Sequence, residues 1–218
     1  MIYEKLKYTV DIDQLKFHLQ NYVLSKKPMM VSAGFGGWSV LSATGEYTDG
    51  WSKGEQLYNP LFMPGTDIET RKKALGLFPL DQYTRPTEIC HGYLSKVITD
   101  IQEMGLNPMR ARLSILKAQS SSSRHKDGEP HEYAVRLHIP IITNQQCTFA
   151  TDDEQAHLPA DGSVYVLHVN RWHQVFNKSQ EDRIHLIMSI RDTSGVTQFH
   201  QYPKNNIMNP IEQKKGVG

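Results

Sequence analysis

The chain has 218 residues, 39% of them hydrophobic and 22% charged, with a formal net charge of +1, which is the composition of an ordinary globular domain. A charge so near zero argues against a protein held to nucleic acid through its phosphates, which needs a basic excess. No apolar run approaches the roughly 18 residues of a membrane span.

Cys90 and Cys147 are the only cysteines. They follow neither a CxxC spacing nor a disulfide framework, so a reducing, cytoplasmic setting is expected. The opening "MIYEKLKYTVDIDQ" is charged from its fourth residue, unlike a signal peptide. With Asp11 or Asp13 as cap, Leu15, Leu19 and Val23 recur at helical spacing. Residues 32–56 are rich in glycine and aromatics. The glycines permit tight turns or close backbone approach, and Trp38 and Trp51 either pack in the core or floor a pocket. A second helix is expected to start near Pro86-Thr87-Glu88, carry Leu94, Val97, Ile98, Ile101 and Met104 on one stripe, and end at Gly105.

From Pro108 the period changes from helical to alternating. Ala111, Leu113 and Ile115 alternate with Arg110, Arg112 and Ser114, and Val135, Leu137, Ile139 and Ile141 with Arg136, His138 and Pro140. Residues 164–169 and 183–191 repeat the pattern, separated by short turns such as "PADGS". Short strands without intervening helices mean an antiparallel sandwich or barrel. The expected fold is mainly β with some α: a jelly-roll core over 108–192, a helical and loop N-terminal cover over 1–107 and an extension over 193–218, all in one structural domain.

The stretch "SRHKDGEPHEYAVRLHIP", Ser123 to Pro140, concentrates the chemistry. His125 and Asp127 are two apart, so on an extended segment both side chains point to the same side. A neutral imidazole and a carboxylate, completed by a distant imidazole, make the two-histidine, one-carboxylate facial set that leaves positions open on Fe(II). Alone, the HxD pair is weak. His173, in "NRWHQVFN", is one candidate for the third ligand, and Arg183 follows ten residues later. An arginine inside a barrel needs an anion to offset its desolvation, and a planar guanidinium suits a carboxylate; the alternative is a solvated rim residue. Arg136 and His138 share a strand face by the same alternation.

Together, "ARLSILKAQSSSSRHKDGEPHEYAVRLHIPIITN" and "HLPADGSVYVLHVNRWHQVFNKSQEDRIHL" resemble the aspartyl/asparaginyl β-hydroxylase family of Fe(II)- and 2-oxoglutarate-dependent dioxygenases. The resemblance runs from about Ala111 to Asp192. It rests on an ordered set: H-x-D, then R-x-H, then a histidine within H-x-V-x-N, then an arginine ten residues on. It implies a cupin-like double-stranded β-helix with His125, Asp127 and His173 as iron ligands. It also implies that Arg183 grips the distal carboxylate of 2-oxoglutarate with help from Ser114, and that Arg136 and His138 lie near the chelating end of that cosubstrate. Some members hold iron with two histidines; this chain keeps Asp127, so the full triad is expected.

The implied reaction uses O2 to hydroxylate a C–H bond of an amino acid, free or within a peptide or derived metabolite, with release of succinate and CO2. Arg110 or Arg112 could meet a substrate carboxylate. A cupin that only binds a metal or small acid would not need Arg183, and a zinc hydrolase would need a general base, for which Glu129 is the nearby candidate. His131 is read as a surface group rather than a pocket-rim one and His157 as structural, while His168 and His185 are either hydrogen-bonded core residues, the preferred reading, or line the pocket. Cys147 is read as a small buried side chain.

Overall fold

The computed structural model of the protein describes residues 3–51, 61–127, 135–169 and 171–190. The chain opens with strand β1 (Tyr3–Thr9) and helix α1 (Ile12–His18). Asp11 is the aspartate that caps this helix, its carboxylate accepting from the N–H groups of Asp13 and Gln14, both at 3.1 Å. A π turn, Leu19–Val23, continues the helix, with Leu15, Leu19 and Val23 all buried. Strands β2 (Met29–Met30), β3 (Phe35–Ser39) and β4 (Leu41–Ser42) follow, then helix α2 (Ile68–Ala74).

Strand β4 pairs with β5 (Arg85–Pro86), which changes where the next helix can begin. Thr87 donates its N–H to the Val40 carbonyl and its hydroxyl to that of Ser39, holding this segment extended. Helix α3 (Gly92–Glu103) therefore starts several residues after Pro86-Thr87-Glu88. It buries Leu94, Val97, Ile98 and Ile101, and Gly105, at φ 79°, ends it as expected.

The alternating half of the chain forms β6 (Pro108–Leu116), β7 (Ser120–Ser121), β8 (Val135–Ile142), β9 (Cys147–Thr151), β10 (Gln155–Ala156), β11 (Ser163–Leu167), β12 (His173–Asn177) and β13 (Arg183–Ile190). A seven-stranded sheet runs in the order β1-β11-β8-β13-β6-β3-β2, and a four-stranded sheet in the order β10-β9-β12-β7. Every pair in these two sheets is antiparallel. This is the double-stranded β-helix expected of the core.

The N-terminal region is not a purely helical cover. Strands β1, β2 and β3 belong to the large sheet, so the division at 107/108 falls inside one sheet. Both segments conceal their strand character in sequence. β1 is an edge strand that buries only Leu6, and β3 reads "FGGWS", where glycine removes the alternation. Among the described residues no helix is long and apolar enough to cross a membrane.

The large sheet has two chemically different faces. Leu113, Leu137, Leu186, Met188 and Trp38 point one way and form a single apolar core with Leu15, Leu19, Leu94 and Ile101 of the two helical segments. The opposite face carries Arg112 and Ser114 of β6, Arg136 and His138 of β8, and Arg183, His185 and Ser189 of β13. All seven are buried, and cross-strand partners such as His185–Ser114 and Ser189–Arg136 set them side by side. This inner face looks onto the small sheet, whose Phe149 packs with Tyr165 and Leu167 of β11. A polar face that is nonetheless buried is costly unless it meets partners.

Trp38 and Trp51 have separate fates. Trp38 lies in the helix-covered core, its Nε1–H donating to the Lys26 carbonyl at 2.9 Å. Trp51 lies against the inner face, over Gly37, the register partner of Ser114. A Cβ at Gly37 would collide with the Leu113 carbonyl and come within 2.7 Å of the Trp51 ring, so glycine is what lets the indole lie there.

Candidate metal centre

His125 and Asp127 follow β7, and His173 opens β12. The backbones of His125 and His173 exchange two hydrogen bonds, N to O at 3.0 and 2.9 Å, and Asp127 N–H donates to the Val169 carbonyl at 2.9 Å. That isolated bridge keeps the H-x-D segment extended, so His125 and Asp127 turn to the same side, where His173 meets them. One ligand atom from each residue lies within 4.8 Å of the other two. His125 Nε2 is 3.7 Å from Asp127 Oδ1, and His173 Nε2 is 3.5 Å from Asp127 Oδ2.

The other ring nitrogens are engaged. His125 Nδ1 lies 2.7 Å from the Ser123 carbonyl and His173 Nδ1 lies 2.9 Å from that of Arg171. A carbonyl only accepts, so each Nδ1 carries a hydrogen, and Nε2, on the Asp127 side, is the ring atom left to bind a metal. The ring of Phe149 stacks on His173 with centroids 5.1 Å apart. Burial pushes the His125 pKa down against the pull of Asp127, which favours the neutral ligand form. Burial alone would raise Asp127, but the Arg136 guanidinium beside it, then His173 and His125, hold it well below the usual carboxylate range. Two imidazoles and an ionised carboxylate are a donor set that fits a divalent iron or zinc ion.

Around this cluster the inner face supplies cations and donors. Arg136 contacts Asp127 directly through Nη1, which sets it at the metal end of the site. Arg183 is only 4% exposed and makes no ion pair with a described residue. Its one hydrogen-bond contact among them is Nη2 to His185 Nδ1, at 2.7 Å. Burial pushes its pKa down to about 10. Ser114 Oγ, both ring nitrogens of His138 and Nε2 of His185 are buried without a partner among the described residues. The His138 ring is edge-on to His185 at 5.8 Å and to Phe149 at 6.2 Å. Burial, then Arg183 and Arg136, drive His138 well below its usual range, and burial and Arg183 do the same to His185.

Every residue singled out in sequence for the metal or the keto acid lies in the two-sheet core, on the inner face or at the triad. Arg110 is elsewhere: it sits at φ 50° in a break of the β6 register and donates to the Gly50 carbonyl at 3.0 Å. Arg112 stays on the inner face, its guanidinium 4.7 Å over the Trp51 ring. His157 is structural, with Nδ1 2.9 Å from the Cys147 carbonyl. His131, Glu129 and residues 193–218 lie outside the described residues.

Three features of the site go beyond what the motifs mark. His185 is legible in principle, because the alternation that turns Arg183 inward turns the residue two further on inward as well. Phe149 against His173 joins residues remote in sequence, Arg136 meets Asp127 across the segment between them, and no local pattern marks either contact.

Fold and site thus define a double-stranded β-helix protein with a two-histidine, one-carboxylate cluster that could hold a metal ion and a buried arginine on the inner face of its large sheet. The family model for aspartyl/asparaginyl beta-hydroxylase matches residues 73–193, more than half of the chain and every residue of this site. The chain belongs to that family, and it is a hydroxylase. No curated protein matches it. Among solved structures it is similar to a prolyl-4-hydroxylase from Pseudomonas putida, at 13% identity over 87% of this chain and 91% of that one, TM-score 0.45. A viral collagen prolyl hydroxylase from Paramecium Bursaria Chlorella virus-1 matches at 10% identity over 87% and 96%, TM-score 0.43. A 2OG-Fe(II) oxygenase-family oxidoreductase from Burkholderia pseudomallei matches at 12% identity over 86% and 80%, also with a TM-score of 0.43.

Proposed function

We propose that the protein hydroxylates a C–H bond of an amino acid, free or within a peptide or derived metabolite, using O2 and releasing succinate and CO2 from 2-oxoglutarate. Iron would be held by Nε2 of His125, Nε2 of His173 and the carboxylate of Asp127. When bound, it supplies the oxygen chemistry; the protein's own part is to seat, orient and exclude. Asp127 neutralises part of the ion's charge, and Arg136 fixes the orientation of that carboxylate. The keto acid would lie along the inner face, its distal carboxylate on Arg183 and Ser114 and its chelating end beside Arg136 and His138. Phe149 stacks on one ligand ring and gives the site an apolar wall.

The single observation that carries this reading is Arg183: a buried guanidinium on the inner face of the large sheet, which looks onto the small sheet that carries His173, with no anion among the described residues to offset it. A buried cation of that kind calls for a carboxylate ligand. A metal-binding cupin without a keto acid would have no use for it. The zinc-hydrolase alternative needs a base, and its one candidate, Glu129, lies outside the described residues.

The test is anaerobic. Fe(II)-loaded protein with 2-oxoglutarate should develop the weak visible charge-transfer absorption of an Fe(II) keto-acid chelate, and in air it should release succinate across a panel of amino acids and short peptides. Iron demonstrably bound, with neither the absorption nor succinate, would reject the cosubstrate assignment.

A further inference from the structure

The hydrogen bond between Arg183 and His185 dictates which face of the imidazole is left over. A guanidinium has donors only, so at 2.7 Å His185 Nδ1 accepts from Arg183 Nη2. The imidazole is therefore neutral and carries its hydrogen on Nε2. That Nε2 is buried and meets no partner among the described residues. Ser114 stands directly across from His185 in the β6–β13 register, and its hydroxyl is likewise buried and unmatched among them. Three donors thus stand side by side on one wall: the guanidinium of Arg183, the hydroxyl of Ser114 and the Nε2–H of His185. No described carboxylate pairs with the guanidinium. A buried donor left without an acceptor is destabilising, so this cluster is a mould for an oxygen-rich anion.

We propose that His185 binds the cosubstrate: its Nδ1 seats the Arg183 guanidinium, and its Nε2–H donates to the distal carboxylate of the keto acid beside Ser114 Oγ. The proposal rests on the reading that Arg183 grips that carboxylate, and it adds a residue that neither the resemblance nor the spacing of motifs marked. It makes the pocket selective for dicarboxylic keto acids, because Arg183 is held rigid and a monocarboxylic acid would leave the His185 donor buried without an acceptor.

Calorimetric titration of the full-length, Mn(II)-loaded protein tests this with two probes, 2-oxoglutarate and 2-oxopentanoate, which share the chelating head and differ in the distal carboxylate. His185→Asn keeps an acceptor where Nδ1 stood and removes the donor at Nε2. Its affinity for 2-oxoglutarate should fall about tenfold or more, the effect of one hydrogen bond to a charged group. Its affinity for 2-oxopentanoate should stay within about twofold of wild type, since that acid never met the donor. An unchanged 2-oxoglutarate affinity, or an equal loss for both acids, would overturn the proposal. A second measurement needs no variant. In Zn(II)-loaded wild-type protein the Nε2–H resonance of His185 should shift with 2-oxoglutarate and not with 2-oxopentanoate; an identical response to both overturns the proposal too. Wild-type protein that holds Mn(II) yet binds neither acid would instead bring down the keto-acid reading on which the proposal stands.

Discussion

The guanidinium of Arg136 lies directly against Oδ2 of Asp127, the same carboxylate oxygen that faces His173 Nε2 at 3.5 Å. Without metal, Arg136 is what keeps a buried carboxylate charged; with metal, the ion shares that task. Arg136→Met should therefore destabilise the metal-free protein by about 3–5 kcal/mol, the usual cost of leaving one half of a buried pair behind. Added Zn(II) or Mn(II) should restore a larger part of the melting temperature in the variant than it adds to wild type. Equal metal-induced shifts in the two proteins, followed by thermal denaturation, would show that Arg136 does not stabilise the ligand carboxylate.

Removal of an imidazole is more direct. His173→Ala should leave the sheet intact, because its backbone hydrogen bonds to His125 do not need the side chain, while Fe(II) affinity and iron-dependent turnover collapse. Circular dichroism and anaerobic iron titration separate the two effects. Retained tight binding would place the third ligand elsewhere.

Arg183→Ala should raise the 2-oxoglutarate concentration needed for half-maximal succinate release by at least about tenfold, or about 1.4 kcal/mol, through loss of a charge-assisted pair. An unchanged requirement would move the role to Arg136 or Arg112.

How much of the fold and site is legible in the sequence follows from the range of the interactions. Alternation along β6, β8 and β13 is local, so the order of residues alone places Ser114, Arg136, His138 and Arg183 on one face. The H-x-D pair is local too. The pairing of β3 with β6 is not: "FGGWS" owes its strand conformation to the partner strand and to the Trp51 ring that Gly37 admits, and neither is written in the segment itself. The start of α3 is hidden for a similar reason. Pro86-Thr87-Glu88 has the composition of a helix N-terminus, but Thr87 is tied to Ser39 and Val40, and tertiary hydrogen bonds outweigh local propensity.

Trp172 exposes its indole beside His173 and takes the side chains of Arg124 and Lys126 on its ring, at 4.6 and 5.3 Å from the ring centre. Those two cations flank His125, so the indole ties the segments bearing the ligands together from outside the site. Trp172→Ala should weaken metal affinity by a few fold, consistent with two exposed cation–π contacts of about 0.5–1 kcal/mol each, and Trp172→Phe should recover part of it. Competition with a metal chelator reads the difference. Equal affinity in the alanine variant would leave the backbone hydrogen bonds between the two segments as what organises them.

Acid should unfold this protein through its histidines before its carboxylates matter. Burial, then Arg171, pushes His168 down to about 4, and burial drives His138 and His185 well below their usual range. Each folded-state pKa lies below the unfolded value of about 6.5, so within that interval the unfolded chain takes up protons the folded chain refuses. The stability they contribute is complete above pH 6.5 and declines as pH falls, by roughly 1.4 kcal/mol per pH unit for each such histidine. Urea denaturation of the metal-free protein at pH 7.5, 6 and 5 should show this steepening slope. His168→Asn, whose residue lies just past β11 and outside the proposed site, should flatten the slope by about one histidine's share. A slope that His168→Asn leaves untouched would mean that His168 is protonated in the folded protein at pH 5, and that its surroundings solvate the charge.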